Sequence, residues 1–316
     1  MTSHTSAAAD TWLGALDRLR RVPGPYFRAT LDVTEAAKQL GASVETVYAL
    51  IGAGLPAEEG RGGPRLDYHD VANLGLAAGL GRSLGELAEG RMLRMAAGEP
   101  EGWVKERTWR LRLTAPCDAD GCPGERPTTP RPELLDGTLL DFADAGDHIV
   151  ATVVTRGLPD APRTAAVRAV YDDLLAELDD GTYQFGWLPH RLRALPATAA
   201  AHGMVDCRVA AWIMERRARE AGLAARVRVG FVLGLVGVEH AWTEVLEGDR
   251  WLPLDPVLAF LARRHRTSNP AFTDFCRGSV HNRLLAWPAA ADRPLVAHDC
   301  ALGGRVTLAC NQLMGR

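Results

Sequence analysis

A chain of 316 residues is longer than one average domain, and at about 100–200 residues per domain it should fold as two. Its 47% hydrophobic and 24% charged residues are an ordinary globular mixture, and a formal net charge of -3 excludes a surface built throughout to grip nucleic acid. Six cysteines are too few for a disulfide scaffold in a chain of this size. No stretch approaches the roughly 20 apolar residues of a membrane span, and the Ser/Thr/Ala-rich start lacks the basic and apolar regions of a signal peptide. A cytoplasmic protein with reduced thiols and no membrane partner is expected.

In chain order, Trp12, Leu16 and Leu19 give Thr11 to Arg21 a helical spacing that Pro23-Gly24-Pro25 stops. Two short helices follow, Thr34 to Leu40 and Val44 to Ile51, parted by Gly41-Ala42-Ser43; Thr34 is a cap for the first and Ser43 for the second. With Arg65-Leu66-Asp67-Tyr68-His69-Asp70-Val71 and Arg82-Ser83-Leu84-Gly85-Glu86-Leu87 beyond them, Leu31 to Leu87 resembles the winged helix-turn-helix of the MerR family. That resemblance implies a DNA-binding module. The residues depart from it where DNA binding is decided: the second helix, Val44-Glu45-Thr46-Val47-Tyr48-Ala49-Leu50-Ile51, carries no base, and Leu31 to Glu99 holds six basic side chains against ten acidic ones. Phosphate contacts supply much of the affinity of such modules for DNA, so docking of a substrate, peptide or partner is favoured over DNA.

Trp109, Leu111 and Leu113 alternate with arginines as in a strand, and Cys117 to Pro132 is a Pro/Gly/Thr-rich loop. Its Cys117-x4-Cys122 pair has no second pair nearby in the sequence, where a structural zinc site needs four ligands; a loop with two incidental thiols is expected, with no metal and no cofactor. His148 to Thr155 is β-branched and strand-like, and Ala161 to Leu178 carries a helical stripe in Val167, Val170, Tyr171, Leu174, Leu175 and Leu178. Tyr183, Phe185 and Trp187 alternate in a short extended segment.

From Gly203 to Pro256 the chain changes character. Helical periodicity begins at Cys207 and runs to Ala221, with Arg216, Arg217 and Arg219 in its second half and Gly222 as its stop. The free N–H groups and dipole of a helix N-terminus favour a thiolate there and can donate to a developing oxyanion. Asp206, directly before the thiol, works against a thiolate unless its carboxylate points away. Val227, Val229, Phe231 and Leu233 alternate in a strand, the loop Gly234 to Val238 leads to a second strand with His240, Trp242 and Glu244 on one face, and Trp251 to Leu254 carries a third to Asp255. Neighbouring strands of this kind can hold His240 beside Asp255, where a carboxylate orients an imidazole.

Cys207 opening a helix, Arg226-Val227-Arg228-Val229-Gly230, His240-Ala241-Trp242-Thr243-Glu244 and Trp251-Leu252-Pro253-Leu254-Asp255-Pro256 resemble, in order and spacing, the transglutaminase-like superfamily, relatives of papain-type thiol proteases. The likeness covers about Ala161 to Phe260. It implies an α+β fold in which a helix bearing the nucleophile packs on an antiparallel sheet, with Cys207 as nucleophile, His240 as general base and acid, and Asp255 as the orienting carboxylate. Gln184 and Trp187 are the upstream candidates for a side-chain oxyanion donor. The domains expected are 1–99, a helical MerR-like module, and 100–316, a catalytic domain with its core at 161–260.

The function expected is acyl transfer through a Cys207 thioester, forming or cleaving an amide on a peptide or a carrier-bound acyl group, with natural-product biosynthesis as the setting, an amine or water as acceptor and a carrier protein among the partners. A leader-trimming cysteine peptidase and a MerR-like transcriptional regulator with a non-catalytic sensing domain are the rivals. Beyond Pro256, His265, His281 and His298-Asp299-Cys300 read as surface or core polar groups, and Val306 to Leu308 as a strand-like tail packing on the catalytic domain.

Overall fold

Asp32, Ser43 and Asp67 each stand immediately before a helix and turn a side chain onto its first turn, which fixes where three helices of the N-terminal part begin. In the computed structural model, which describes residues 3–122, 129–234, 239–265, 267–290, 293, 295–296, 298–302 and 306–313, these helices are Val33–Leu40, Val44–Gly52 and Tyr68–Ala78. Asp32 accepts from the Glu35 amide at 2.8 Å while Glu35 accepts from the Asp32 amide at 2.8 Å, a complete capping box. The cap is therefore Asp32, with Thr34 inside the helix. Ser43 caps the second helix as expected.

The chain divides into two compact units, the first made of residues 1–91 and 180–209, the second of residues 92–179 and 210–316. In the first, an antiparallel three-stranded sheet is built from Ala29–Asp32, Gly63–Asp67 and Ala57–Gly60, with Gly63–Asp67 in the middle. Trp12 and Leu16 of the leading helix Ser3–Arg18 pack with Leu40, Leu50, Leu66 and Leu74 in one core. A short run of side-chain and backbone bonds brings residues 180–209 into this unit. Gln184–Phe185 pairs in parallel with Met204–Val205, the Gln184 amide group donates to the Arg18 carbonyl at 3.1 Å and accepts from the Arg20 amide at 2.7 Å, and Arg20 donates to the carbonyls of Gly181 and Thr182. Asn73, itself buried, accepts from the Trp187 amide at 2.6 Å and donates to the Trp187 carbonyl at 3.0 Å. A Cβ at Gly186 would lie 2.5 Å from the Asn73 side-chain oxygen, so this close approach admits only glycine.

The second unit is an α+β arrangement with two four-stranded sheets. One, fully antiparallel, runs in the order Arg250–Leu254, Glu239–Glu247, Ala225–Val232, Leu284–Trp287. The other runs Ala309–Leu313, Arg107–Thr114, Ile149–Thr155, Gly137–Asp144. The C-terminal strand thus begins three residues beyond the expected Val306 to Leu308, with Val306 making an isolated bridge to Cys117. Helix Ala165–Asp179 buries the stripe its sequence announces, and Tyr171 donates from it to the Thr273 carbonyl at 3.1 Å. The helix Cys207–Glu220 crosses the division between the units. Of the expected loop before His240, Leu235 to Val238 lie outside the described residues, as do residues 123–128 of the Cys117 to Pro132 loop.

Two polar groups carry testable energetic weight. Removing the Asn73 side chain strands the half-buried Trp187 amide and carbonyl, so Asn73→Ala is expected to lower unfolding stability by about 1–3 kcal/mol, read from urea denaturation. His281 is buried with neither ring nitrogen hydrogen-bonded among the described residues. Burial first, and the Arg250 charge second, push its pKa down to about 3. It stays neutral in the folded chain and takes up a proton once unfolded, so stability present above about pH 6.5 is lost as pH falls toward 3. His281→Leu, which sacrifices no hydrogen bond, is expected to flatten the drop in urea midpoint that the native chain shows between about pH 7.5 and about pH 5.

Candidate active site

The strand Glu239–Glu247 places His240, Trp242 and Glu244 along one face, two residues apart. The Trp242 indole stacks near the His240 ring, with centroids 6.4 Å apart and planes 17° apart, and donates to Glu244 at 3.2 Å. Glu244 is fully buried and lies directly opposite Arg226 in the antiparallel register. Arg226 donates to it at 2.7 Å and lays its guanidinium over the Trp251 ring, 4.1 Å from the centroid. The Arg-Val-x-Val-Gly, His-Ala-Trp-x-Glu and Trp-x-x-Leu-Asp-Pro segments are therefore one packed assembly: an arginine from the first neutralises a buried glutamate of the second while covering a tryptophan of the third. Gly230, which faces His240 in the register, has its own reason; a Cβ there would sit 2.0 Å from the Leu285 carbonyl oxygen of the adjacent strand.

His240 is 5% exposed, and its Nε2 donates to Asp255 Oδ2 at 2.6 Å. A carboxylate oxygen accepts, so in this bond the imidazole Nε2 is the donor. Asp255 follows the strand Arg250–Leu254 and caps the helix Pro256–Arg264, its Oδ1 accepting from the Leu258 amide at 3.0 Å. Pro256 at the first helical position surrenders no hydrogen bond there. One oxygen accepts from the helix amide and the other from the His240 ring.

Cys207 opens the helix Cys207–Glu220 and is half-buried. Asp206, whose side chain lay next to the thiol in sequence, spends both oxygens elsewhere: Oδ1 accepts from the Val209 amide at 2.9 Å as the helix cap, and Oδ2 pairs with Arg193 Nε at 2.6 Å. Arg193 is a residue the sequence reading missed; nothing but its place in the basic run His190-Arg191-Leu192-Arg193 marks it. Further along the helix, the buried Thr243 hydroxyl donates to the Ala211 carbonyl at 2.9 Å, tying helix to strand within the second unit. Of the two upstream candidates, Gln184 already donates to Arg18, and Trp187 is held through its backbone by Asn73, with its ring 5.9 Å from that of Tyr68.

The other thiols differ. Cys276 is completely buried, and burial with the nearby Asp255 charge pushes it well above its ordinary value; burial alone pushes Cys310 up to about 12. Both are held as inert thiols. Cys117, Cys122 and Cys300 gather with His298 in a separate cluster whose ligand atoms lie within 4.8 Å of one another.

Residues 150–256 match the transglutaminase-like superfamily. Cys207, His240 and Asp255 all fall inside the matched stretch. Among solved structures, a candidate cysteine protease from Cytophaga hutchinsonii is similar at 12% identity and a TM-score of 0.28, covering 67% of this chain and 89% of that one. A structure described as a TGase is similar at 15% identity and a TM-score of 0.22, covering 38% of this chain and 43% of that one. Comparison with curated proteins finds no match. Among the described residues no helix is long and apolar enough to cross a membrane.

Glu244 links three of the four motifs of this domain. Glu244→Gln keeps shape and removes charge, leaving Arg226 without its buried partner; it is expected to cost about 1–3 kcal/mol of stability by thermal or urea unfolding.

Proposed function

We propose that the transglutaminase-like domain is a thiol acyltransferase in which Cys207 attacks, His240 moves the proton and Asp255 orients His240. The observation that carries this reading is the buried His240–Asp255 hydrogen bond, in which the second carboxylate oxygen is fixed by a helix amide. In this reading the bond keeps the proton on Nε2 and Nδ1 serves as the base. A half-buried thiol at the first position of a capped helix supplies the nucleophile. The Asp206–Arg193 pair removes the objection of an uncompensated carboxylate beside it.

In the proposed cycle His240 Nδ1 takes the Cys207 thiol proton as sulfur adds to the carbonyl carbon of an amide or thioester. The tetrahedral oxyanion is stabilised by N–H groups at the helix start, a role that competes with the side chains of Gln184 and Trp187. Its collapse breaks the bond to the leaving amine or thiol, which receives the proton from His240. An amine or water then attacks the thioester and yields its proton to Nδ1, and the sulfur departs and is reprotonated. Amine as acceptor makes an amide and water makes an acid from the same intermediate, so transferase and peptidase share every residue named here. The carrier-bound or peptide acyl group and the natural-product setting belong to this proposal, as does docking of the substrate or its carrier on the acidic N-terminal module.

Incubation with activated acyl donors, carrier thioesters and short peptides, followed by intact-mass analysis, is expected to show one acyl adduct on the native chain and none on Cys207→Ala, with turnover falling about 10³-fold or more. Asp255→Asn retains the capping acceptor and loses the charge that orients His240, so the fold persists and turnover drops about 10²–10⁴-fold. Adducts that survive Cys207→Ala would refute the assignment.

A further inference from the structure

The fold brings together Cys117 and Cys122, near the end of strand Arg107–Thr114, and His298 and Cys300, which precede strand Ala309–Leu313. All four belong to the second unit. Cys117 and Cys300 sulfurs are 3.7 Å apart, Cys122 and Cys300 sulfurs 3.3 Å apart, and Cys122 sulfur lies 3.4 Å from His298 Nε2. A zinc tetrahedron with Zn–S of about 2.3 Å and Zn–N of about 2.0 Å has sulfur–sulfur edges near ~3.8 Å and sulfur–nitrogen edges near ~3.5 Å. Two of these three spacings match those edges to about 0.1 Å and the third, Cys122–Cys300, is about 0.5 Å shorter, while all four ligand atoms lie within 4.8 Å of one another. They are also far longer than the ~2.05 Å of a disulfide.

We propose that Cys117, Cys122, His298 and Cys300 form a structural zinc site that clips the Cys117–Cys122 loop to the segment leading into the C-terminal strand. Three thiolates and one neutral imidazole are the soft, tetrahedral donor set that selects zinc over magnesium or calcium. Because the protein supplies all four ligands, no coordination position is left for substrate, and the ion serves the fold. Binding releases the three thiol protons to solvent, so affinity falls as pH drops. The site has a plain mechanical purpose. The Cys117–Val306 bridge continues the register in which Ala309–Leu313 pairs with Arg107–Thr114, so a metal at this point locks the far end of an edge strand that otherwise closes a chain segment of nearly 200 residues. Two ligand pairs, Cys-x4-Cys and His-x-Cys, thus meet at one end of the pairing between these two strands.

This inference stands apart from the acyl-transfer reading, and its test does not pass through activity. The full chain, purified without chelator, is expected to hold close to one zinc per chain by elemental mass spectrometry, released by a mercurial thiol reagent. Cys122→Ser is expected to lower that content at least about tenfold, whereas Cys207→Ala leaves it unchanged. Loss of the site is separated from loss of fold by titrating chelator-treated native chain with cobalt(II), which should saturate at one equivalent with the intense visible bands of tetrahedral thiolate coordination. Amide exchange across residues 306–313 should slow when zinc is restored. No zinc after dialysis against it, octahedral cobalt spectra, zinc retained by Cys122→Ser, or a Cys122–Cys300 disulfide in the freshly isolated chain would each overturn the proposal.

Discussion

Asp255 is the constraint on which the packing around His240 turns, because its two oxygens make different bonds and neither is spare. Oδ1 accepts from the Leu258 amide and so sets where the helix Pro256–Arg264 starts; Oδ2 accepts from His240. A carboxylate bonded at one oxygen only can rotate about its terminal torsion and release its partner. Bonded at both, within a site 1% exposed, it holds the imidazole by the rigidity of a helix and a strand together. The cap and the orienting bond are then a single structural fact, which explains why the segment reads Leu-Asp-Pro: the strand ends, the carboxylate caps, and proline begins the helix without wasting an amide.

From that residue the packing spreads outward along the sheet. His240 is flanked by Trp242, Trp242 donates to Glu244, Glu244 is neutralised by Arg226, and Arg226 covers Trp251. A buried glutamate is tolerable only while that arginine stays in place. Charge inside the sheet thus serves orientation at one end and register at the other, since Arg226 and Glu244 meet only when the two strands pair as they do.

The elements most legible in the sequence are those with a periodic or capping signal. The buried stripe of Ala165–Asp179, the alternation through Phe231 and the Ser43 cap all lie where local pattern puts them. Asp32 displaced Thr34 as a cap because strand Ala29–Asp32 must end in register with Arg65, a long-range pairing no local window contains. Leu284–Trp287 gave no alternation because all four of its residues are buried, and Gly137–Asp144 gave none because it is a mostly exposed edge strand. Residues 180–209 join the N-terminal residues through side-chain amides of Gln184 and Asn73, which leave no periodic trace. The Cys117–Cys122 pair looked incomplete for the same reason: its partners come from about 180 residues further on, beyond the reach of any spacing rule.

The proposed nucleophile illustrates how capping can protect chemistry as well as helices. A bare carboxylate next to a thiol opposes its ionisation, yet a helix that begins at that thiol needs a side-chain acceptor at the preceding position. Asp206 satisfies the second demand and Arg193 cancels the first, leaving the helix end with its capping bond and no uncompensated negative charge. Arg193 belongs to the first unit with Asp206, while His240 and Asp255 belong to the second, and the helix Cys207–Glu220 is the covalent element common to both. Within the second unit, the Thr243 hydroxyl bonds the Ala211 carbonyl and so ties this helix to the strand Glu239–Glu247. A chain that placed its nucleophile on a loop would have had to fix it by packing alone. Here the helix start is fixed instead by its cap, Asp206, whose charge Arg193 balances.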